Sequence, residues 1–193
     1  MEIIDPKKFL VQITSILDDV GVDYFITGGF AVAIWGRPRS TSDIDVVVQI
    51  NQSQIRRLIK ALKELSKLGY IEEETVREAV RNKGEFNFID PETGLKIDFW
   101  VAKDDSRTAI QFKRKKSEII NGKKVYFISP EDLVLNKLLW HKQSDSILQL
   151  DDIKSILKIS GKKLDMKYLR KLAVQINVTD IFESILKDKR ERA

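Results

Sequence analysis

The run from Ile26 to Val48 constrains the fold more than any other part of the chain. Apolar residues lead into Gly28 and Gly29, a short helical stretch follows over Phe30–Trp35, and a polar loop carries Arg37, Arg39, Ser40, Thr41 and Ser42. A strand then opens on Asp43, Ile44 and Asp45 and continues through Val46, Val47 and Val48. Glycine lacks a Cβ, so the Gly28-Gly29 backbone can turn sharply and approach a ligand closely. A helix that starts at such a turn aims unpaired N–H groups at that ligand, which suits phosphate. Asp43 and Asp45, two apart on a strand, leave the same face. Neighbouring carboxylates repel unless a cation or a proton separates them, and hard oxygen donors select Mg²⁺. The run is therefore expected to serve a nucleoside triphosphate, with Ser40, Thr41 and Ser42 capping or positioning the metal loop.

The flanking segments point to an α/β (α+β) core. Asp5 and Pro6 start a helix whose apolar residues, Phe9, Leu10, Ile13, Ile16, Leu17 and Val20, recur at helical spacing until Gly21 closes it. Tyr24–Thr27 is the first strand. Asn51 is expected to cap a second helix with the stripe Ile55, Leu58, Ile59, Leu62 and Leu65, ending at Gly69. Residues 72–83 are polar, helix or loop. Phe86–Ile89 and Leu95–Val101 read as strands joined by a turn-rich linker over 90–94. In the second of these, Lys96, Asp98 and Trp100 share the face opposite Leu95, Ile97, Phe99 and Val101. Asp98 thus adds a carboxylate where an ordinary exposed face would carry Thr or Val. Ser117–Ile120 and Val125–Ile128 flank Asn121-Gly122, a hairpin signal.

From Ser129 the pattern is helical. Ser129 to Asp132 is a capping box with Pro130 at the first helical position. The helix behind it is apolar nearly all round, so Lys137 in its middle either snorkels to water or aims its charge at phosphate. Ile147–Ile159 follows, with Asp152 on its packed side and Asp151 facing solvent, and then two helices over 165–176 and 178–188. A frayed tail is expected from Lys187. A boundary near Ile128–Ser129 would separate a core of residues 1–128 from a helical region of residues 129–193.

Composition narrows the chemistry. Zero cysteines exclude disulfides, thiolate nucleophiles and zinc–thiolate sites, and a single His excludes a multi-histidine metal centre. A serine nucleophile triad is not expected either, because His141 lies on a distant helix. No apolar run is long enough to span a bilayer, and no charged-then-apolar leader stands out, so a cytoplasmic location is expected. The net charge of +5 is carried partly in the bunches Lys113–Lys116 and Lys162–Lys167, which either attract nucleic acid or form a solvated face.

The ordered set of Gly28-Gly29, the spacer 30–42, then Asp43-Ile44-Asp45 and three valines resembles the signature of the polymerase-β-like nucleotidyltransferase superfamily. Asp98, the helix carrying Lys137, and Gln149 to Ile153 extend the likeness over roughly residues 24–157, to compact nucleotidyltransferases related to abortive-infection and toxin–antitoxin enzymes. The resemblance implies a mixed sheet flanked by helices, with a C-terminal helical bundle on the catalytic core. It implies Mg²⁺ (or Mn²⁺) on Asp43 and Asp45, with Asp98 either a shared ligand or the general base. Gly28, Gly29, Arg37, Arg39, Lys137 and Asp152 are the expected nucleotide-binding residues, Lys137 touching phosphates and Asp152 supporting that lysine or the acceptor. Where relatives often carry an Arg before this last aspartate, the chain has Asp151. The implied activity moves a nucleoside monophosphate from an NTP to an acceptor hydroxyl on a tRNA end, a protein or a small molecule, in a phage-defence or toxin–antitoxin setting with a cognate antitoxin. The alternative is an inactive relative that keeps the fold as a binding or antitoxin module.

Overall fold

The computed structural model describes residues 5–41, 43–92 and 94–191. The chain divides into two compact units, one of Met1–Phe30 and Ser40–Ile128, the other of Ala31–Arg39 and Ser129–Ala193. The mixed α/β class expected from the sequence holds.

The first unit contains α1 (Pro6–Val20), β1 (Asp23–Ile26), the start of α2 (Gly28–Trp35), β2 (Asp43–Gln49), α3 (Ile55–Leu65), α4 (Glu73–Asn82), β3 (Glu85–Asp90), β4 (Leu95–Val101), α5 (Ser106–Arg114), β5 (Lys116–Ile120) and β6 (Lys123–Phe127). The strands form one six-stranded sheet in the order β3-β4-β2-β1-β6-β5. β2 pairs in parallel with β4 and antiparallel with β1. Strict alternation puts Ile44, Val46 and Val48 of β2 and Ile97, Phe99 and Val101 of β4 into the core, while Asp43, Asp45, Lys96 and Asp98 stay half-buried on the opposite face. Phe86 and Phe99, cross-strand partners, stack with ring centres 4.8 Å apart.

Local chemistry explains the element ends. Asp5 accepts a hydrogen bond from the Lys7 amide at 2.9 Å, and Gly21 closes α1 in the left-handed region. Asn121 and Gly122 both take positive φ, as a tight two-residue hairpin requires. Two expectations are corrected, and one helix is added. Asn51 does not cap α3: its carboxamide oxygen accepts from the Ser53 amide in a local turn, and the helix starts at Ile55. That helix stops at Leu65, where Ser66 turns extended and donates to Asp90 at 2.9 Å; the ring of Phe88 presses against Gly69 instead. α5 was not anticipated; Asp105 caps it, and its Phe112 meets Phe25 edge-on at 4.8 Å. Residues 73–82, read as helix or loop, are helix.

The second unit holds the remainder of α2, then α6 (Pro130–Ser144), α7 (Ile147–Ile159), α8 (Met166–Gln175) and α9 (Thr179–Glu191). α6 packs against α7, α8 and α9. Ser129 caps its N-terminus as expected, accepting from the Asp132 amide; the Asp132 side chain answers the Ser129 hydroxyl at 2.6 Å. Glu131 accepts from the Asp165 amide and Asp132 from the Tyr168 hydroxyl, so two buried acids fasten α8 at the positive end of α6. The tail expected from Lys187 is corrected: α9 runs to Glu191, and residues 192–193 lie outside the described residues. Among the described residues no helix is long and apolar enough to cross a membrane.

Ile44 lies fully buried between the two aspartates. Ile44→Ala is expected to lower stability by about 2–5 kcal/mol, read from urea unfolding. A loss below about 0.5 kcal/mol, typical of surface positions, would contradict its place in the core.

Candidate functional site

Two arrangements of charged groups stand out, one in each unit. In the first unit, β1 leads into Thr27, whose amide donates to the Asp45 carbonyl at 2.9 Å. The chain then turns through Gly28 at φ +59°. A Cβ added there would fall 1.8 Å from the nearer Asp45 carboxylate oxygen, so this aspartate lies directly on the glycine backbone. A Cβ on Gly29 would meet the Thr41 hydroxyl at 2.8 Å, and that hydroxyl donates to the Asp43 carbonyl at 3.3 Å. The glycines are thus small because the carboxylate strand and its leading loop press on them. Ser42, grouped with Thr41 in the sequence, lies outside the described residues.

Register completes the group. In the parallel β2–β4 pair, Asp43 stands beside Lys96 and Asp45 beside Asp98, four charged side chains on one face. The Lys96 ammonium donates to Asp98 at 2.9 Å. That hydrogen bond holds the lysine above its ordinary pKa, and the charges of Asp98, Asp43 and Asp45 reinforce it against the cost of burial. Trp100 continues the same face and is 40% exposed. Among the described residues no three acidic or imidazole groups are placed to hold a metal ion as they stand. The donor set nevertheless suits a hard divalent cation: carboxylate oxygens, a glycine turn fitted around Asp45, and a surplus of negative charge.

In the second unit, Asp152 is the centre. Its side chain is 4% exposed and that of Lys137 is 1% exposed, with the two 2.7 Å apart. Arg39 grips the same carboxylate with two bonds, Nε at 3.0 Å and Nη2 at 3.1 Å. Lys137 also donates to the Gln149 side-chain oxygen at 2.9 Å and lies 5.7 Å from the Trp140 ring centre. One carboxylate therefore serves two cations, which is how a buried ammonium is tolerated. The preceding loop is tied down too: Ser155 accepts from the Arg37 amide, and a Cβ on Gly36 would meet the Ser155 hydroxyl at 2.5 Å.

Placement of the expected site residues follows from this. Gly28, Gly29, Asp43, Asp45 and Asp98 come together in the first unit; Arg39, Lys137 and Asp152 come together in the second. Arg37 is exposed. Asp151 faces solvent and Asp152 is packed, as the helical spacing implied. His141 is a helix-end residue, its Nδ1 3.0 Å from the Ser146 carbonyl oxygen. Within the basic run 113–116, Lys115 is engaged locally by Asp23 and by the Tyr126 ring, 4.6 Å away. Lys96 carried no expected role. Its two-residue offset from Asp98 was visible in the sequence; its pairing beside Asp43 was not.

Two substitutions test these placements. Gly28→Ala is expected to destabilise the protein more than Gly29→Ala, because the first alone combines a left-handed backbone with a carboxylate overlap; the reverse order in urea unfolding would contradict it. Asp152→Asn leaves two cations around a neutral amide and should cost about 3–5 kcal/mol, the usual scale for breaking a buried pair. Unchanged unfolding would show that the charge on Asp152 is dispensable.

Over residues 7–193 the chain matches the family described as a nucleotidyltransferase of unknown function (DUF6036). No curated protein matches it in sequence. Among solved structures it is similar to ANT(2'')-Ia in complex with adenylyl-2''-tobramycin, at TM-score 0.62 and 14% identity, over 89% of this chain and 97% of that one. It is also similar to an antigenic nucleotidyltransferase-like protein from Paracoccidioides brasiliensis, at 0.58 and 20%, over 94% and 92%. The lincosamide adenylyltransferase LnuA in its lincomycin-bound form follows at 0.54 and 16%, over 81% and 98%. Identities this low speak for the fold alone, whereas the family match spans nearly the whole sequence: the chain belongs to this family of nucleotidyltransferases.

Proposed function

We propose that the protein transfers a nucleoside monophosphate from an NTP to an acceptor hydroxyl, using the carboxylate face of β2 and β4. The observation that carries this reading is the register that sets Asp45 beside Asp98, with Asp43 two residues away on the same face. Asp43 and Asp45 would hold Mg²⁺ or Mn²⁺, which when bound neutralises charge on the departing pyrophosphate. Asp98 either ligates a second ion or accepts the acceptor's proton, and its bond to Lys96 keeps it oriented before an ion arrives. The close fit of Asp45 on Gly28 keeps one carboxylate beside the glycine turn, so that the turn's amides and the carboxylates address the same triphosphate.

Lys137 and Arg39 belong to the same proposal as phosphate-binding residues, with Asp152 setting their positions. Arg37, exposed beside them in sequence, is the further candidate for phosphate contact. A module that only binds would have little use for three like charges on one face, so an active enzyme is the reading the site favours. The acceptor is a tRNA end, a protein hydroxyl or a small molecule. ANT(2'')-Ia with its adenylylated tobramycin supports the last class, and exposed Lys162, Lys163 and Lys167 support a nucleic acid. A cytoplasmic phage-defence or toxin–antitoxin role, with a cognate antitoxin, rests on the resemblance noted from the sequence.

Asp43→Asn and Asp45→Asn test the proposal. Each is expected to abolish transfer of label from α-labelled NTP with Mg²⁺ present, while circular dichroism and thermal unfolding stay native-like. Near wild-type transfer by either variant would overturn the assignment of the carboxylates.

A further inference from the structure

We propose that Lys96 is a resident counter-cation of the carboxylate face and sets the affinity of the divalent ion that Asp98 meets. This rests on the reading of that face as an ion site. Lys96 stands beside Asp43 in register and donates to Asp98 at 2.9 Å, its side chain 37% exposed and that of Asp98 20% exposed. Asp43, Asp45 and Asp98 on neighbouring strands repel one another, and the ammonium offsets part of that repulsion without any ion. The same ammonium occupies one Asp98 oxygen and repels a dication approaching it. An entering ion therefore displaces the lysine from Asp98 or binds against its charge.

The residue type fits this role. A lysine is a point charge on a flexible four-carbon stem and can swing toward water when an ion arrives. An arginine would hold the carboxylate with a planar fork and yield less readily. Lys96 thus acts as a positioning residue for Asp98, keeping it engaged before the ion binds and released afterwards. The fold gains tolerance of three carboxylates on one face, and ion affinity is lowered in exchange.

Binding of Mn²⁺ in the absence of nucleotide, followed by the electron paramagnetic resonance of the free ion, tests this directly. Lys96→Met is expected to bind Mn²⁺ about tenfold more tightly than wild type, the scale of a charge–dication repulsion across several ångströms of water-like dielectric. Lys96→Arg should bind no more tightly than wild type. Adding Asp98→Asn to Lys96→Met should erase the gain. In EDTA, Lys96→Met should melt below wild type and recover when Mn²⁺ is added; Lys96→Gln serves as a second neutral replacement if the methionine variant folds poorly. Unchanged or weaker Mn²⁺ binding in both neutral variants, with wild-type binding that Asp45→Asn removes, would overturn the role of Lys96 alone. Absence of millimolar Mn²⁺ binding in every form would overturn the ion reading of the face and this inference together.

Discussion

The in-register parallel pairing of β2 with β4 is the constraint on which the candidate chemistry depends. Because side chains alternate with a period of two, this one register decides that Asp43 meets Lys96 and Asp45 meets Asp98. A slip of β2 by one residue would turn Asp43 and Asp45 into the core and Ile44, Val46 and Val48 out. The buried alternates, Ile44, Val46, Ile97 and Phe99, therefore hold the charges in place as surely as any polar contact does. Hydrophobic burial on one face specifies electrostatics on the other. Gly28 adds a second restraint, since only a residue without Cβ leaves room for the Asp45 carboxylate.

The helical unit solves the same problem in a different way. α6 is buried on most sides and yet carries Glu131, Asp132 and Lys137, each nearly inaccessible. Each meets a defined partner: the Asp165 amide at one Glu131 oxygen, the Tyr168 hydroxyl with Ser129 at Asp132, and Asp152 with Gln149 at Lys137. Such pairs add little net stability over apolar replacements but are costly to break singly. Their value is specificity of packing, fixing α7 and α8 to α6, and in the case of Asp152 fixing the loop arginine Arg39 as well.

Much of this was legible in the chain itself. The Gly28-Gly29 turn, the Asp43–Asp45 pair and the face of Asp98 follow from residue spacing, because each is a local property of one strand or turn. The partnership of Lys137 with Asp152 also follows, since a buried ammonium must find an acid and helical spacing turned that acid inward. What the sequence concealed was non-local or short. Nothing in residues 95–101 announces that Lys96 lies next to Asp43, because register is set by packing across strands. α5 escaped notice because nine residues with Lys113 and Arg114 at their end resemble a basic surface run. Asn51 misled because the same carboxamide that caps helices also closes local turns.

The central claim is that this chain uses its carboxylate face to transfer a nucleoside monophosphate. Parallel reactions with NTP labelled at the α or at the γ phosphate, offered RNA, protein and small-molecule acceptors with Mg²⁺, test it most directly. The α label is expected to become covalently attached to an acceptor while the γ label leaves as pyrophosphate. Attachment of the γ label, or α label recovered only as free nucleoside monophosphate, would contradict it.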